Sequence, residues 1–256
     1  MAKKYYVVWQ GRDTGIFNDW PTCKRSIDKF AGARYKSFPT LAEAEAAFGG
    51  KASASVKASG AAPARKRASG QTVKTYTAAE INKLAAEVKI YTDGGCEPNP
   101  GEAGSGLALY RNEELAELWY GLYNPMGTNN TAELNALNQA MIMAQQELEK
   151  GLRVAILCDS KYSIQCITQW AAGWQKKGWK KASGEIKNLQ LIQEMFERYQ
   201  QLKDKLQILH VNGHVGVEGN ELADRMSIVA IAEKKQAFVA YSKALNIPAI
   251  LALRAG

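Results

Sequence analysis

The stretch Val88–Gly101, VKIYTDGGCEPNPG, decides the fold of the larger part of this chain. Val88, Ile90 and Thr92 alternate with more polar neighbours, which is the period of a half-buried strand. The glycines and prolines that follow favour turns, so the strand should deliver Asp93 to a glycine-rich bend. An acid just past a buried strand is costly unless something binds it, and a metal ion is a common partner.

Charge is unevenly distributed along the 256 residues, whose formal net charge is +8. Residues 1–50 carry a net charge of +3, residues 51–85 carry +6, and the remaining residues carry −1. A basic total fits a polyanionic partner, although it fits a merely soluble basic protein as well. A nearly neutral domain that acts on nucleic acid needs a partner module, a local basic patch or bound cations.

The four cysteines show no CxxC pair and no spacing typical of zinc ligands. The first residues, MAKKYYVVWQ, do not resemble a signal peptide, and the sequence has no long apolar span. We therefore expect reduced thiols, a cytoplasmic location and no membrane partner.

The sequence pattern predicts four segments. Residues 1–50 show the strands and helices of a small α/β module. Residues 51–85 are predicted to form a flexible basic linker, because residues 51–75 are rich in Ala, Ser, Gly and Lys/Arg, and a short helix near 78–86 is expected to lead into the next domain. Its Arg65-Lys66-Arg67 cluster fits either phosphate contact or a solvated tether. Residues 86–235 form the larger domain. The tail 236–256 contains apolar residues that fit either packing on the core or a contact with another molecule.

The larger domain is predicted to be a mixed five-stranded α/β sheet flanked by helices. Strands are expected at 88–93, 104–110, 115–121, 154–158 and 205–211, and helices at 131–150, 160–171, 184–203 and from 220 onward. The unbroken apolar run Val154–Cys158 indicates a strand that is buried on both faces. Three successive strands followed by alternating helices and strands favour a sheet covered on both sides.

Four acids fall at the ends of these elements, and each has an ordinary structural explanation of its own. Asp159 with Ser160 fits a helix cap, and Glu133 fits a capping box that begins at Asn130. Asp224 fits a surface position one turn beyond Glu221. Because sites in such sheets form outside the carboxyl ends of strands, the acids can also converge with Asp93 on one site.

The surroundings of the acids favour the second explanation. YTDGG (91–95), TNNTAEL (128–134), CDSKYS (158–163) and GHVGVEGNELAD (213–224) occur in this order. Residues 88–235 thereby resemble a type 1 ribonuclease H. The resemblance implies a catalytic and metal-binding quartet of Asp93, Glu133, Asp159 and Asp224. It also assigns a loop histidine, His214, to water activation or product release, and Glu221 more weakly to the metal site.

The implied activity is endonucleolytic hydrolysis of the RNA strand of RNA/DNA hybrids, leaving 5′-phosphate and 3′-hydroxyl ends. Two Mg²⁺ ions per site would be required, Mn²⁺ being a possible substitute, and carboxylates are the hard ligands that Mg²⁺ prefers. By resemblance Asp93 bridges both ions, with Glu133 and Asp159 on either side and Asp224 on the nucleophile side.

The resemblance also implies substrate contacts. Short polar side chains near the acids suit contacts with the 2′-hydroxyls that distinguish RNA from DNA; these are Cys96, Asn99, Asn129 and Asn130. Thr128 and Asn188 match residues that are implicated in holding a phosphate of the DNA strand. Lys161 stands where relatives often have Gln, and Thr131 where some have Arg. Residues 170–181, WAAGWQKKGWKK, match a basic protrusion that contacts the duplex; its expected contact residues are Trp174, Lys176, Lys177, Trp179, Lys180 and Lys181, whereas Trp170 fits the core.

The first fifty residues resemble the hybrid-binding, viroplasmin-like domain found at the N-terminus of many such enzymes. Trp20 and Tyr35 match the two aromatics that face the DNA strand, with Lys36 beside them and Tyr6 nearby. A core position for the two aromatics is the alternative. Ser37 replaces a second lysine, which predicts weaker binding. The expected partner is an RNA/DNA hybrid, and no obligate protein partner is implied.

Two rival functions remain at this point. A non-catalytic binder of hybrids or double-stranded RNA would need a damaged quartet, yet all four acids are present. An integrase-type DNA nuclease would share the fold, but the His214 loop and the N-terminal module argue against it.

Overall fold

The structure is a computed structural model that describes residues 4–28, 30, 33–49, 72–181, 184–213 and 216–255. The chain divides into two compact units, Met1–Lys66 and Arg67–Gly256, each of which is described by itself. Most of the predicted linker, including Arg65-Lys66-Arg67, lies outside the described residues, and so does His214.

The N-terminal unit pairs a three-stranded antiparallel sheet with two helices. Its elements are β1 (Tyr5–Gln10), β2 (Gly15–Phe17), α1 (Trp20–Ile27), β3 (Arg34–Phe38) and α2 (Leu41–Gly49), and the strand order is β2-β1-β3. Asp19 caps α1 by accepting a hydrogen bond from the Thr22 backbone at 2.8 Å, and Pro21 lies in the first turn, where proline loses no hydrogen bond. Val7 and Val8 are fully buried in its small core.

The second unit is built on a seven-stranded mixed sheet. Its strands are β4 (Thr75–Tyr76), β5 (Val88–Glu97), β6 (Gly101–Arg111), β7 (Glu114–Gly127), β8 (Val154–Cys158), β9 (Leu206–Val211) and β10 (Val239–Ala240). They lie in the order β10-β7-β6-β5-β8-β9-β4. The pairs from β10 to β5 are antiparallel, and the pairs from β5 to β4 are parallel.

Helices cover both faces of this sheet. They are α3 (Ala78–Ile81), α4 (Asn129–Glu149), α5 (Lys161–Gln165), α6 (Ala171–Gln175), α7 (Leu189–Leu202), α8 (Glu218–Ala232) and α9 (Ile247–Leu251), with a π-helical segment, Cys166–Trp170, between α5 and α6. Because successive residues of a strand point to opposite faces of the sheet, the core has two parts, one on each face. Ile90 packs with Leu134 and Ile192 on the α4/α7 side, whereas Tyr91 packs with Leu222 on the α8 side.

The predicted α/β fold is confirmed, and all five predicted strands are present. Two edge strands, β4 and β10, were not predicted, because two residues are too few to show a period. Gly94 and Gly95, expected to end the first strand, lie inside β5, since its pairing with β6 continues to Glu97 opposite Glu102.

Other predicted boundaries also differ from those in the structure, some of them by five residues or more. The domain start expected at 86 is too late for the sheet, because Thr75 and Tyr76 already pair with His210 and Val211 of β9. The helix predicted over 184–203 begins at Leu189.

The tail is packed on the second unit. Val239 and Ala240 pair with β7, and Ile250 of α9 is buried in the α8-side core. This supports the first of the two readings left open for the segment. Among the described residues, no helix has the length and apolar character needed to span a membrane.

Candidate active site

The four predicted acids come together. Asp93 lies in β5, Asp159 directly follows β8, Glu133 lies near the start of α4, and Asp224 lies on α8. All four line one cavity of about 490 Å³. β5 and β8 are parallel neighbours, so their carboxyl ends meet at the same edge of the sheet, as sites in open α/β sheets require.

Two glycines allow the helices to approach this closely. A Cβ on Gly94 would lie 2.2 Å from the backbone nitrogen of Glu133, and a Cβ on Gly106 would lie 2.1 Å from the carbonyl oxygen of Ala223. Any other residue at either position would push a helix away. The first glycine therefore brings Glu133 toward Asp93, and the second sets the depth of the helix that carries Asp224.

Glu133 does not form the capping box that its sequence context also allowed. Helix α4 starts at Asn129, and Thr128 caps it by accepting a hydrogen bond from the Thr131 backbone at 3.2 Å. The Glu133 carboxylate instead accepts hydrogen bonds from Ser160 Oγ and, at 2.8 Å, from Asn129 Nδ2. It is thereby held toward the cavity.

In the Asp159-Ser160 pair, Ser160 caps a helix and Asp159 lines the cavity. Ser160 caps α5, as the structural explanation predicted, by accepting from the Ser163 backbone at 3.2 Å. The Asp159 side chain lines the cavity, where its Oδ2 accepts a hydrogen bond from Asn220 Nδ2 at 3.2 Å. Asp224 is buried beside the guanidinium of Arg225 rather than on the surface.

The electrostatics of the cavity oppose full ionisation. Burial raises the pKa of Asp93 well above its usual value, and the charges of Asp159 and Asp224 raise it further. Burial also raises the pKa of Glu133 to about 7, with Asp159 adding to the effect and the Ser160 hydrogen bond opposing it. Cations in the cavity would relieve this repulsion.

The donor set suits magnesium. Among the described residues, no three His, Cys, Asp or Glu side chains are arranged to hold one ion by themselves. Mg²⁺, however, is usually held by one or two carboxylates, with water and substrate phosphate as the other ligands. Five carboxylates line the cavity, those of the four predicted acids and of Glu97, and among its described lining side chains Cys96 is the one sulfur and none is an imidazole. This donor set fits that mode of binding.

The loop that contains His214 is described only at its ends. Glu221 accepts a hydrogen bond from the backbone of Gly216 at 3.1 Å and so ties the loop to the start of α8. The expected role of Glu221 near the metal site stays a prediction, as does that of His214.

Predicted RNA contacts surround the acids. Cys96 and Asn129 line the same cavity, and Asn99 Oδ1 accepts a hydrogen bond from the Asn129 backbone at 3.3 Å. Asn130 lines a neighbouring cavity of about 540 Å³ that also contains Trp174 and Lys181. Lys161 is exposed at the start of α5.

Thr128, Thr131 and Asn188 form a connected polar cluster. Thr128 Oγ1 lies 2.8 Å from Thr131 Oγ1, which donates to Asn188 Oδ1 at 3.0 Å. Asn188 adopts a left-handed backbone conformation, with φ of 57°, at the start of α7. The two residues expected to hold a DNA phosphate are thus joined through Thr131, whose link the sequence did not reveal.

The basic segment divides into exposed lysines and half-buried tryptophans. Lys176, Lys177 and Lys180 are exposed. Trp174 and Trp179 pack against the main core, Trp179 with its ring 6.1 Å from that of Phe196. The tryptophans therefore shape the segment, and the lysines form its accessible charge.

Three aromatic rings form a cluster in the N-terminal unit. The ring of Trp20 lies 5.4 Å from that of Tyr6 and 5.9 Å from that of Tyr35. Trp20 is 41% exposed and Tyr35 is 47% exposed, which excludes the core alternative. Lys36 is not part of the cluster: it pairs with Val7 on the opposite face of the sheet, where its Nζ lies 5.5 Å from the Phe38 ring.

Some residues of the site were not predicted from the sequence. Arg254 and Ala255 of the tail line the cavity of the four acids together with Ile228 of α8. The tail has no recognisable motif, so no local signal pointed to it.

The sequence and fold match known proteins along most of the chain. Residues 85–231 match the RNase H family model, and residues 4–48 match the Ribonuclease H1 N-terminal domain. A Ribonuclease H of Acidovorax sp. is 40% identical over 142 residues, covering 55% of this chain and 92% of its own length. Ribonuclease H1 of Mus musculus is 30% identical, covering 87% of each chain.

A solved structure supports the fold. The crystal structure of LC9-RNase H1, a type 1 RNase H with the type 2 active-site motif, matches with a TM-score of 0.50 at 23% identity, covering 66% of this chain and 86% of that one. Together with the matched family model and the mouse relative, the clustered acids lead to one assignment. This chain belongs to the ribonuclease H family.

Proposed function

We propose that this enzyme is an endonuclease that hydrolyses the RNA strand of RNA/DNA hybrids, leaving 5′-phosphate and 3′-hydroxyl ends. The observation that carries the proposal is the convergence of Asp93, Glu133, Asp159 and Asp224 on one cavity that Cys96 and Asn129 also line. Acids alone would fit many phosphoryl-transfer reactions. The adjacent short polar side chains add groups that can read a 2′-hydroxyl.

The four carboxylates would hold two Mg²⁺ ions, or Mn²⁺ in their place. Bound there, the ions would supply an activated water and stabilise the leaving oxygen of an in-line displacement. Asp93, on which the charges of the other three acids all act, suits the bridging position. Ser160 and Asn129 hold Glu133 in place, so the geometry of the carboxylates is set before substrate arrives. His214 is proposed to carry a proton at the cavity mouth.

Substrate binding is proposed to involve three surfaces. Cys96, Asn99, Asn129 and Asn130 contact the RNA strand. The Thr128–Thr131–Asn188 cluster holds a DNA phosphate, and the exposed lysines of 176–181 contact the duplex backbone.

The N-terminal unit is proposed to hold the hybrid through its aromatic cluster. Trp20 and Tyr35 offer exposed faces to the DNA strand. The part of the predicted linker that precedes Thr75 is proposed to act as a tether that raises the effective concentration of the catalytic unit on long hybrids. The four free cysteines agree with a reducing, cytoplasmic location, which is part of the proposal.

The decisive experiment compares cleavage of RNA/DNA, DNA/DNA and RNA/RNA duplexes with Mg²⁺. We expect cleavage of the RNA strand of the hybrid only. Asp93→Asn should abolish cleavage and preserve hybrid binding, whereas Asp204→Asn, which changes an exposed acid outside the lining of the cavity, should change neither. Persistent cleavage by Asp93→Asn would contradict the assignment, and cleavage of duplex DNA would favour an integrase-type enzyme.

A further inference from the structure

The C-terminal tail is fixed to the catalytic unit at three points. Val239 and Ala240 extend the sheet beside β7, and Ile250 of α9 is 3% exposed among core residues. Arg225 Nε donates to the carbonyl oxygen of Leu251 at 3.3 Å, while the same guanidinium contacts Asp224. The tail is therefore positioned by contacts that include a neighbour of a catalytic acid.

Beyond α9 the chain reaches the catalytic cavity. Arg254 and Ala255 line it, and the Arg254 guanidinium forms an ion pair with Glu97 at the end of β5. Among the described residues that line this cavity, Arg254 is the sole Lys or Arg. The pair is well exposed, with 70% of the Arg254 side chain and 65% of the Glu97 side chain accessible. An exposed ion pair stabilises a fold little, so its contribution to folding does not account for the arginine's position.

We propose that Arg254 is a substrate-binding residue that exchanges Glu97 for a phosphate of the RNA strand near the scissile bond. The inference rests on the proposed function. Glu97 directly follows Cys96, a proposed RNA contact, so the arginine lies where the RNA strand would pass. A guanidinium binds a phosphate through two parallel hydrogen bonds, and it supplies positive charge at a cavity that is otherwise acidic.

The proposal predicts opposite effects for the two members of the ion pair. Arg254→Ala should raise KM for the hybrid about threefold to tenfold and leave kcat within about twofold, because a binding contact is lost. Glu97→Gln should lower KM, because the arginine no longer has to be released from its partner. The benefit of Glu97→Gln should vanish when Arg254 is also alanine, as a double-mutant cycle would show.

Salt dependence separates a phosphate contact from other roles. In Arg254→Ala the slope of log(kcat/KM) against log salt should become less steep by about 0.7–0.9, the value for one phosphate contact. Arg254→Lys should restore most of the slope. Lys243→Ala, which removes the same charge from an exposed site of the tail outside the cavity lining, should leave KM and slope unchanged.

Two results would overturn the proposal. A lower KM in Arg254→Ala would show that the tail obstructs the cavity. An unchanged KM and an unchanged salt-dependence slope would show that Arg254 forms only a surface ion pair with Glu97. Hybrid binding by Asp93→Asn with and without Arg254→Ala, measured over the same salt range, tests the contact without cleavage. Failure of the unsubstituted chain to cleave hybrids would refute the proposed function instead.

Discussion

The carboxylate of Asp93 lies inside the protein with three other acids around it, an arrangement that costs folding free energy. Burial and the charges of Asp159 and Asp224 raise its pKa. Each unit of such a shift corresponds to about 1.4 kcal/mol between the two protonation states. The site thus stores an electrostatic cost in the absence of cations, as functional sites often do.

Asp93→Asn should therefore stabilise the metal-free protein, by on the order of 1–2 kcal/mol at neutral pH, because it removes a buried charge that the other three acids repel. The same substitution should remove most of the stabilisation that Mg²⁺ gives. Thermal unfolding in a chelator and in Mg²⁺ measures both effects. Asp204→Asn is the matched control, and a destabilised metal-free Asp93→Asn protein would contradict the electrostatic account.

The raised pKa of Glu133 predicts how stability depends on pH. Between the usual carboxyl pKa of about 4.5 and its folded value of about 7, the folded state holds a proton that the unfolded state releases. The metal-free protein should therefore lose up to about 3 kcal/mol of stability as pH rises through this window.

Glu133→Gln should flatten that pH dependence, which chemical denaturation at several pH values in a chelator would show. In Mg²⁺ the dependence should shrink or reverse, because ion binding requires the deprotonated acid. A pH slope that is the same in Glu133→Gln and in the unsubstituted protein would assign the effect to another group.

At the scale of single elements, the close contact between β5 and α4 depends on Gly94. Gly94→Ala places a methyl group against the Glu133 backbone, so it should destabilise the protein by about 1–3 kcal/mol and lower kcat by displacing Glu133. Gly173→Ala is the matched control. Apart from its chain neighbours and the backbone of its own helix, no described atom lies within 4 Å of a Cβ added to Gly173, which lies in α6. This substitution should therefore be neutral or stabilise the protein by up to about 1 kcal/mol. Denaturant unfolding and steady-state kinetics distinguish the two; equal effects would contradict the packing argument.

The sequence predicted elements whose signals are local. The alternation at 88–93 and the apolar run Val154–Cys158 identified two central strands. The ordered acidic motifs predicted the four acids that the structure brings to one cavity. The sequence pattern placed the start of α4 at residue 131, whereas the helix begins at Asn129. The stretch TNNT offers several residues that can cap a helix, and in the structure Thr128 is the cap. The π-helical segment at Cys166–Trp170 carries no sequence period of its own.

At the scale of the whole molecule, what escaped prediction are contacts between distant parts of the chain. β4 pairs with β9 across more than a hundred residues, and the tail brings Arg254 to Glu97. No local pattern encodes either contact, since both depend on how the finished sheet presents its edges. The aromatic cluster of the N-terminal unit could be predicted, in contrast, because it follows from a recognisable motif over about fifty residues.

The two units should act together only on hybrids long enough to contact both. Trp20→Ala in the full chain should raise KM about tenfold or more on a long hybrid, because the tethered contact that concentrates the catalytic unit is lost. On a hybrid too short to engage both units, KM should not change. Phe48→Ala is the matched control, since Phe48 is an aromatic of the same unit with similar exposure, 42%, outside the cluster. If Trp20→Ala weakened cleavage of short and long hybrids equally, the N-terminal unit would not be working as a tethered anchor, and its aromatic cluster would have to act on the catalytic unit itself.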